Sequence, residues 1–167
     1  MKRKTRAALL SLAMLSSTHT NATDEMGYEA YVDSPKRIKC MYGYVTAKTG
    51  NFSAAKAIFE DCVARWNDVY SLIWLAQMYE NGSGVEPDLA KAAALLKQGA
   101  EQADDISYVG LARYHWGVAL AEGRGVQADP QQARKWLNRA AADGQSEATE
   151  YLQQMDATSQ TESAPKP

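Results

Sequence analysis

A block of sequence returns after 41 positions, and no other feature of the chain restricts its fold so much. Laying residues 71–85 on residues 112–126 puts Gly82, Gly84 and Val85 on Gly123, Gly125 and Val126. The register continues downstream: Asp88 falls on Asp129, Ala92 on Ala133, and Leu95-Leu96 on Trp136-Leu137, while upstream Ala76 falls on Gly117. A repeat of roughly 20–50 residues marks an array in which each unit buries its apolar face against the next.

Each unit reads as two antiparallel helices. Leu72, Leu75, Ala76 and Tyr79 recur at helical spacing and form one apolar stripe. Gly82 and Gly84 end that helix and turn the chain. Asp88 and Asp129 stand where an N-cap accepts from free amides, and Pro130 follows at the first helical position. The return helices carry Ala92, Leu95, Leu96 and Gly99 in one unit and Ala133, Trp136, Leu137 and Ala140 in the other. Weaker signals extend the pattern. Ser34-Pro35 opens a helix to about Lys48, Gly50-Asn51-Phe52 turns it, and Ser53 to Arg65 returns, with Gly43, Ala55 and Phe59 at packing positions. After Gly144, the residues Ala148, Tyr151 and Leu152 suggest a last half-hairpin. The repeat domain therefore spans 34–155, preceded by a loosely attached leader at 23–33. Residues 156–167 lack apolar periodicity and are expected to be a disordered tail.

Residues 1–22 stand apart. Lys2, Arg3, Lys4 and Arg6 precede the short apolar run Ala7 to Leu15, and small polar residues lead to Thr20-Asn21-Ala22. This is the layout of a signal peptide cleaved after Ala22, since nine apolar residues are too few to span a bilayer. The expectation is a periplasmic or secreted protein with no membrane insertion after cleavage. Loss of those four basic residues leaves 14 basic against 20 acidic, a formal charge of −6. Such a chain, without a basic cluster, is a poor partner for nucleic acid or anionic lipid.

The phrase Gly-x-Gly-Val, followed by Asp-x-x-x-Ala, resembles the Sel1-like repeat, a relative of the tetratricopeptide repeat. The third unit matches closely through Ala112, Tyr114, Gly117, Gly123, Gly125, Val126, Asp129, Ala133, Trp136, Ala140, Ala141 and Gly144. The second departs at Ala76, Leu95 and Ala103 and carries five extra residues at Asp104–Tyr108. The resemblance implies an all-α, right-handed α-solenoid of about three antiparallel helix hairpins plus a C-terminal capping helix. It also implies an inner groove lined by the first helix of each hairpin, which grips a protein partner. By the family pattern, the groove positions are Tyr44 in the first unit and Tyr70, Ile73, Trp74 and Gln77 in the second. In the third they are Tyr114, His115, Val118 and Glu122. Trp74 lies off the core stripe, so it is either an interface anchor or a filler between repeats. A sharper expectation is an immunity or accessory protein for a secreted effector, whose basic rim would suit an acidic groove.

Signals for chemistry are weak. His115 is the one histidine after residue 22, and no nucleophile accompanies it at a useful spacing. Neighbouring carboxylates such as Asp104-Asp105 point apart on a helix and read as capping groups between repeats. No Cys/His spacing suggests a metal, the Gly-x-Gly turns follow helices rather than strands, and no cofactor is implied. Relatives rich in cysteine pairs bind or cleave β-lactams, but those pairs are missing, so a small hydrolase is the competing reading and an enzyme is not expected. Two cysteines remain, Cys40 and Cys62, each 11 residues from Asn51 at the centre of the first turn. Positions equidistant from a hairpin turn lie at one height, and export favours a bridge between them. Two packed thiols are the alternative, because the helical phases do not agree closely.

Overall fold

The computed structural model describes residues 31–163. Among these described residues, seven helices follow one another: α1 (Lys39–Lys48), α2 (Phe52–Trp66), α3 (Val69–Asn81), α4 (Leu89–Ala100), α5 (Val109–Glu122), α6 (Pro130–Ala142) and α7 (Ser146–Ser163). No strand occurs among the described residues. The fold is an all-α helical repeat of three hairpins, α1–α2, α3–α4 and α5–α6, with α7 laid against α6. The expected signal peptide, residues 1–22, and residues 23–30 of the expected leader lie outside the described residues.

Local chemistry sets the helix ends. Asn51, Asp68, Asp88 and Asp129 each accept a hydrogen bond from the amide three residues on, at 3.2, 2.9, 2.9 and 3.0 Å. Gly82 and Gly123 close α3 and α5 in the left-handed conformation, at φ 68° and 70°. The turns then repeat bond for bond. Ser83 N donates to Met78 O and Asp88 N to Tyr79 O, as Arg124 N does to Ala119 O and Asp129 N to Leu120 O.

Small residues let the helices close up. The Phe59 ring lies where a side chain on Gly43 would be, 2.4 Å from the position of a Cβ, and Leu137 does the same at Gly117, 2.8 Å away. Phe59, Leu137, Ala55, Ala112 and Ala133 have no exposed surface. Burying a side chain such as Phe59 contributes roughly 2–3 kcal/mol. The second glycine of each Gly-x-Gly joins successive hairpins. Gly84 lies against Phe52 at the start of α2, and Gly125 against the backbone of Leu89 and Ala90 at the start of α4. Among the helices, α1 touches α3 and α3 touches α5, while α2, α4 and α6 approach each other less. The row α1–α3–α5 is therefore the inner side of the array.

Cys40 and Cys62 are joined, with Cα atoms 5.9 Å apart, within the range a bridge needs. Beside them Lys39 is wholly buried. Its Nζ pairs with Asp61 on α2 and donates to Val32 O at 2.7 Å. Tyr31 and Val32, the last part of the expected leader, thus pack on the cluster of Cys40, Ile58 and Cys62 rather than hang loosely.

Three local expectations need correction. Helix α1 starts at Lys39 rather than Pro35, because the chain before it makes tight i→i+3 turns, with Lys39 N bonded to Lys36 O. Asp104 caps no helix; α5 follows Tyr108, which offers no side-chain cap. Instead Asp104 meets Arg113 and Arg139. The extra residues of the second unit are held by Arg113, a buried side chain that also donates to Ala100 O, Gln102 O and Asp143. The guanidinium beside Asp104 holds that carboxyl below its ordinary range. Finally, α7 runs to Ser163, eight residues past the expected boundary at Met155. Propagation of a formed helix costs little, and Asp156 pairs with Arg134 on α6 at 2.6 Å. Residues 164–167 of the expected tail are outside the described residues.

Candidate protein-interaction groove

The inner row brings an aromatic run to the surface. Tyr44 on α1 lies 4.6 Å from Trp74 on α3, ring centre to ring centre. Trp74 meets Tyr70 one turn earlier at 6.1 Å, and Tyr70 meets Tyr108 at 5.0 Å. Separations of this order suit tilted and edge-on rings. Helical spacing places Tyr70 and Trp74 on one line of α3, and stacking of the hairpins supplies Tyr44 and Tyr108 from either side. All of these rings except Tyr108 are half-buried, so Trp74 is filler and surface together.

Two pockets flank the run. One, of about 300 Å³, is lined by Tyr44, Lys48, Phe52, Trp74, Gln77 and Asn81, among others. Lys48 stands over the Tyr44 ring, 5.3 Å from its centre. The other, of about 390 Å³, is lined by Arg37, Ile38, Met41, Asp68, Tyr70 and Tyr108, together with Cys40 and Ser107. Burial pushes the Tyr70 phenol above its ordinary value, so this group stays a neutral donor at physiological pH.

Seven of the nine expected groove residues reach the surface: Tyr44, Tyr70, Trp74, Gln77, Tyr114, His115 and Glu122. Two do not. Ile73 is 2% exposed and packs with Val69 and Ala112 where α4 and α5 join. Val118 packs on Leu137, Ala140 and Ala148. Both lie on the side of the inner helix that meets the next hairpin. The third-unit residues form their own patch. Tyr114 and His115 are ring neighbours at 5.1 Å, and Tyr151 from α7 donates to Glu122 at 3.0 Å. Burial lowers the His115 pKa, with Arg124 adding to the effect, and burial together with the Glu122 bond pushes the Tyr151 phenol up to about 12.

Carboxylates along the inner row have cationic partners. Arg124 lies between Glu80 and Glu122 and pairs with both. Asp68 is engaged by Ser71 and by Arg37. Sequence reasoning missed Ile38, Met41, Lys48 and Tyr108. The first two are apolar residues out of phase with the packed line of Cys40 and Gly43, a signal available in the sequence. Tyr108 sits in the extra segment, where no periodicity speaks.

A Sel1 repeat family model matches residues 69–104 and 110–145. This is a Sel1-like repeat protein. The matched spans begin at α3 and α5, so each Sel1 repeat is one hairpin with the connection that follows it. The disulfide-joined hairpin α1–α2 lies outside them. Among solved structures, a Sel1 repeat protein from Oxalobacter formigenes is similar, at 22% identity and a TM-score of 0.61. The alignment covers 78% of this chain and 98% of that one, a likeness of fold. No curated protein matches the sequence. Sel1 repeats are generally protein-interaction scaffolds rather than enzymes, and an inner row of exposed aromatics suits that use. Among the described residues, no three His, Cys, Asp or Glu side chains gather as metal ligands, and no helix is long and apolar enough to cross a membrane.

Proposed function

We propose that this Sel1-like repeat protein is an exported adaptor that grips a partner protein along α1 and α3, in the periplasm or outside the cell. The aromatic run Tyr44–Trp74–Tyr70–Tyr108 carries the reading, because large rings left half-exposed on a solenoid's inner row are the usual anchors of an interface. The disulfide supports export, since such bonds persist in oxidising compartments. Within this reading the chain serves a secreted effector as an accessory or immunity protein. A pull-down from envelope extract with residues 23–167 tests the adaptor. The wild type is expected to retain one partner that Trp74→Ala loses while still melting cooperatively. Equal capture by both proteins would count against the groove. Fractionation and N-terminal sequencing test export, with Thr23 expected as the first residue of the mature chain.

A further inference from the structure

Four large apolar side chains stand exposed among the described residues, and three of them surround one pocket: Ile38 at 53%, Met41 at 58% and Tyr108 at 48%. Exposed apolar groups gathered at one spot mark an interaction site, whereas scattered ones do not. The pocket opens onto the aromatic run, and the run ends at Lys48. Charge along this channel is uneven. The Asp68 carboxylate is occupied by the Ser71 amide, the Ser71 hydroxyl and Arg37. Lys48 has no carboxylate within ion-pair distance among the described residues and leans over the Tyr44 ring. An aromatic channel with an uncompensated ammonium at one end selects a ligand by sign as well as by shape.

We infer that the partner presents a segment with a bulky apolar side chain and, farther along, a carboxylate, seated with the apolar group between Ile38, Met41 and Tyr108 and the acid at Lys48. Ten residues of helix separate Ile38 from Lys48, about 15 Å at the usual rise. An extended peptide spans that length in four or five residues. The inference rests on the groove reading and adds the partner's polarity to it.

Three fluorescein-labelled hexapeptide amides test it by anisotropy: Phe-Leu-Ser-Thr-Glu-Glu and its counterparts ending in Gln-Gln or Lys-Lys. The acidic peptide is expected to bind the mature protein roughly fivefold tighter than the neutral one, and the basic peptide weakest. Lys48→Gln should remove the preference and Lys48→Glu should reverse it, with both variants melting as the wild type does. Met41→Asp should weaken all three peptides. Equal binding of the three peptides, or a preference unmoved by Lys48→Glu, overturns the acidic segment. If Trp74→Ala still abolishes binding in that case, the groove stands and only the charge rule falls. If neither Trp74→Ala nor Met41→Asp alters binding, or no peptide binds at all, the seat described above is refuted with it.

Discussion

A methyl group on Gly125 would lie 1.8 Å from the carbonyl oxygen of Leu89, a backbone atom that cannot step aside. Gly50 has the same left-handed conformation, at φ 84°, but open space around it. The pair separates two roles that the sequence presents alike. Gly50→Ala should cost about 1 kcal/mol, the strain of an L-residue at positive φ. Gly125→Ala should cost several times that, because α4 and the loop after α5 must part. Denaturant melts of the two variants compare them, and equal losses would mean that the contact relaxes freely. Lys39 offers a second test at this scale. Its ammonium is buried, and the bond it makes holds the Asp61 carboxyl below the ordinary range. A carboxyl with a depressed folded pKa adds stability that is complete above the unfolded value near 4 and fades as pH falls through the folded one. Asp61→Asn should therefore lower stability by about 2 kcal/mol at neutral pH, since it strands a buried cation. The gap to wild type should narrow in acid; a constant gap from pH 7 to pH 2 would contradict the pairing.

The hairpin was the most legible element. Caps and turns are chemistry within four residues, so Asp88, Asp129, Gly82 and Gly123 announced the helix ends directly. Arg113 was illegible, because two of its acceptors are carbonyls of Ala100 and Gln102, which no side chain advertises. Ile73 and Val118 were misplaced for a related reason. A family pattern tells which helix faces inward, whereas contact with the next hairpin decides which of its residues stay covered. The bridge between Cys40 and Cys62 follows from symmetry about the turn, and a small phase difference did not prevent it. With the two cysteines 22 positions apart, the closed loop should contribute around 3 kcal/mol. The double variant Cys40→Ala/Cys62→Ala should lose about that much, and unreduced wild type should take up no alkylating reagent. Alkylation of both cysteines before reduction would show them to be free thiols.

For the molecule as a whole, the 41-residue repeat foretold the array, yet the aromatic channel needed three segments placed side by side. Tyr44 lies in α1, Trp74 in α3 and Tyr108 in the connection after α4, and only packing of these segments makes them neighbours. In such an array each hairpin leans on the next, so its stability resembles a row of coupled links rather than one block. The links are unequal here. A covalent tie fastens α1 to α2, whereas α7 is a polar helix at the end of the row, with no hairpin packed beyond it among the described residues. Opening is therefore a fraying that starts at α7 and runs out of momentum near α2. Hydrogen exchange should map this as a slope, fast in α7 and slowest around Cys40, Ile58 and Cys62; a flat profile would argue for one cooperative unit. On that slope the aromatic channel belongs to the fastened end. Breathing of the free end would cost the chain its last turns long before it cost the grip.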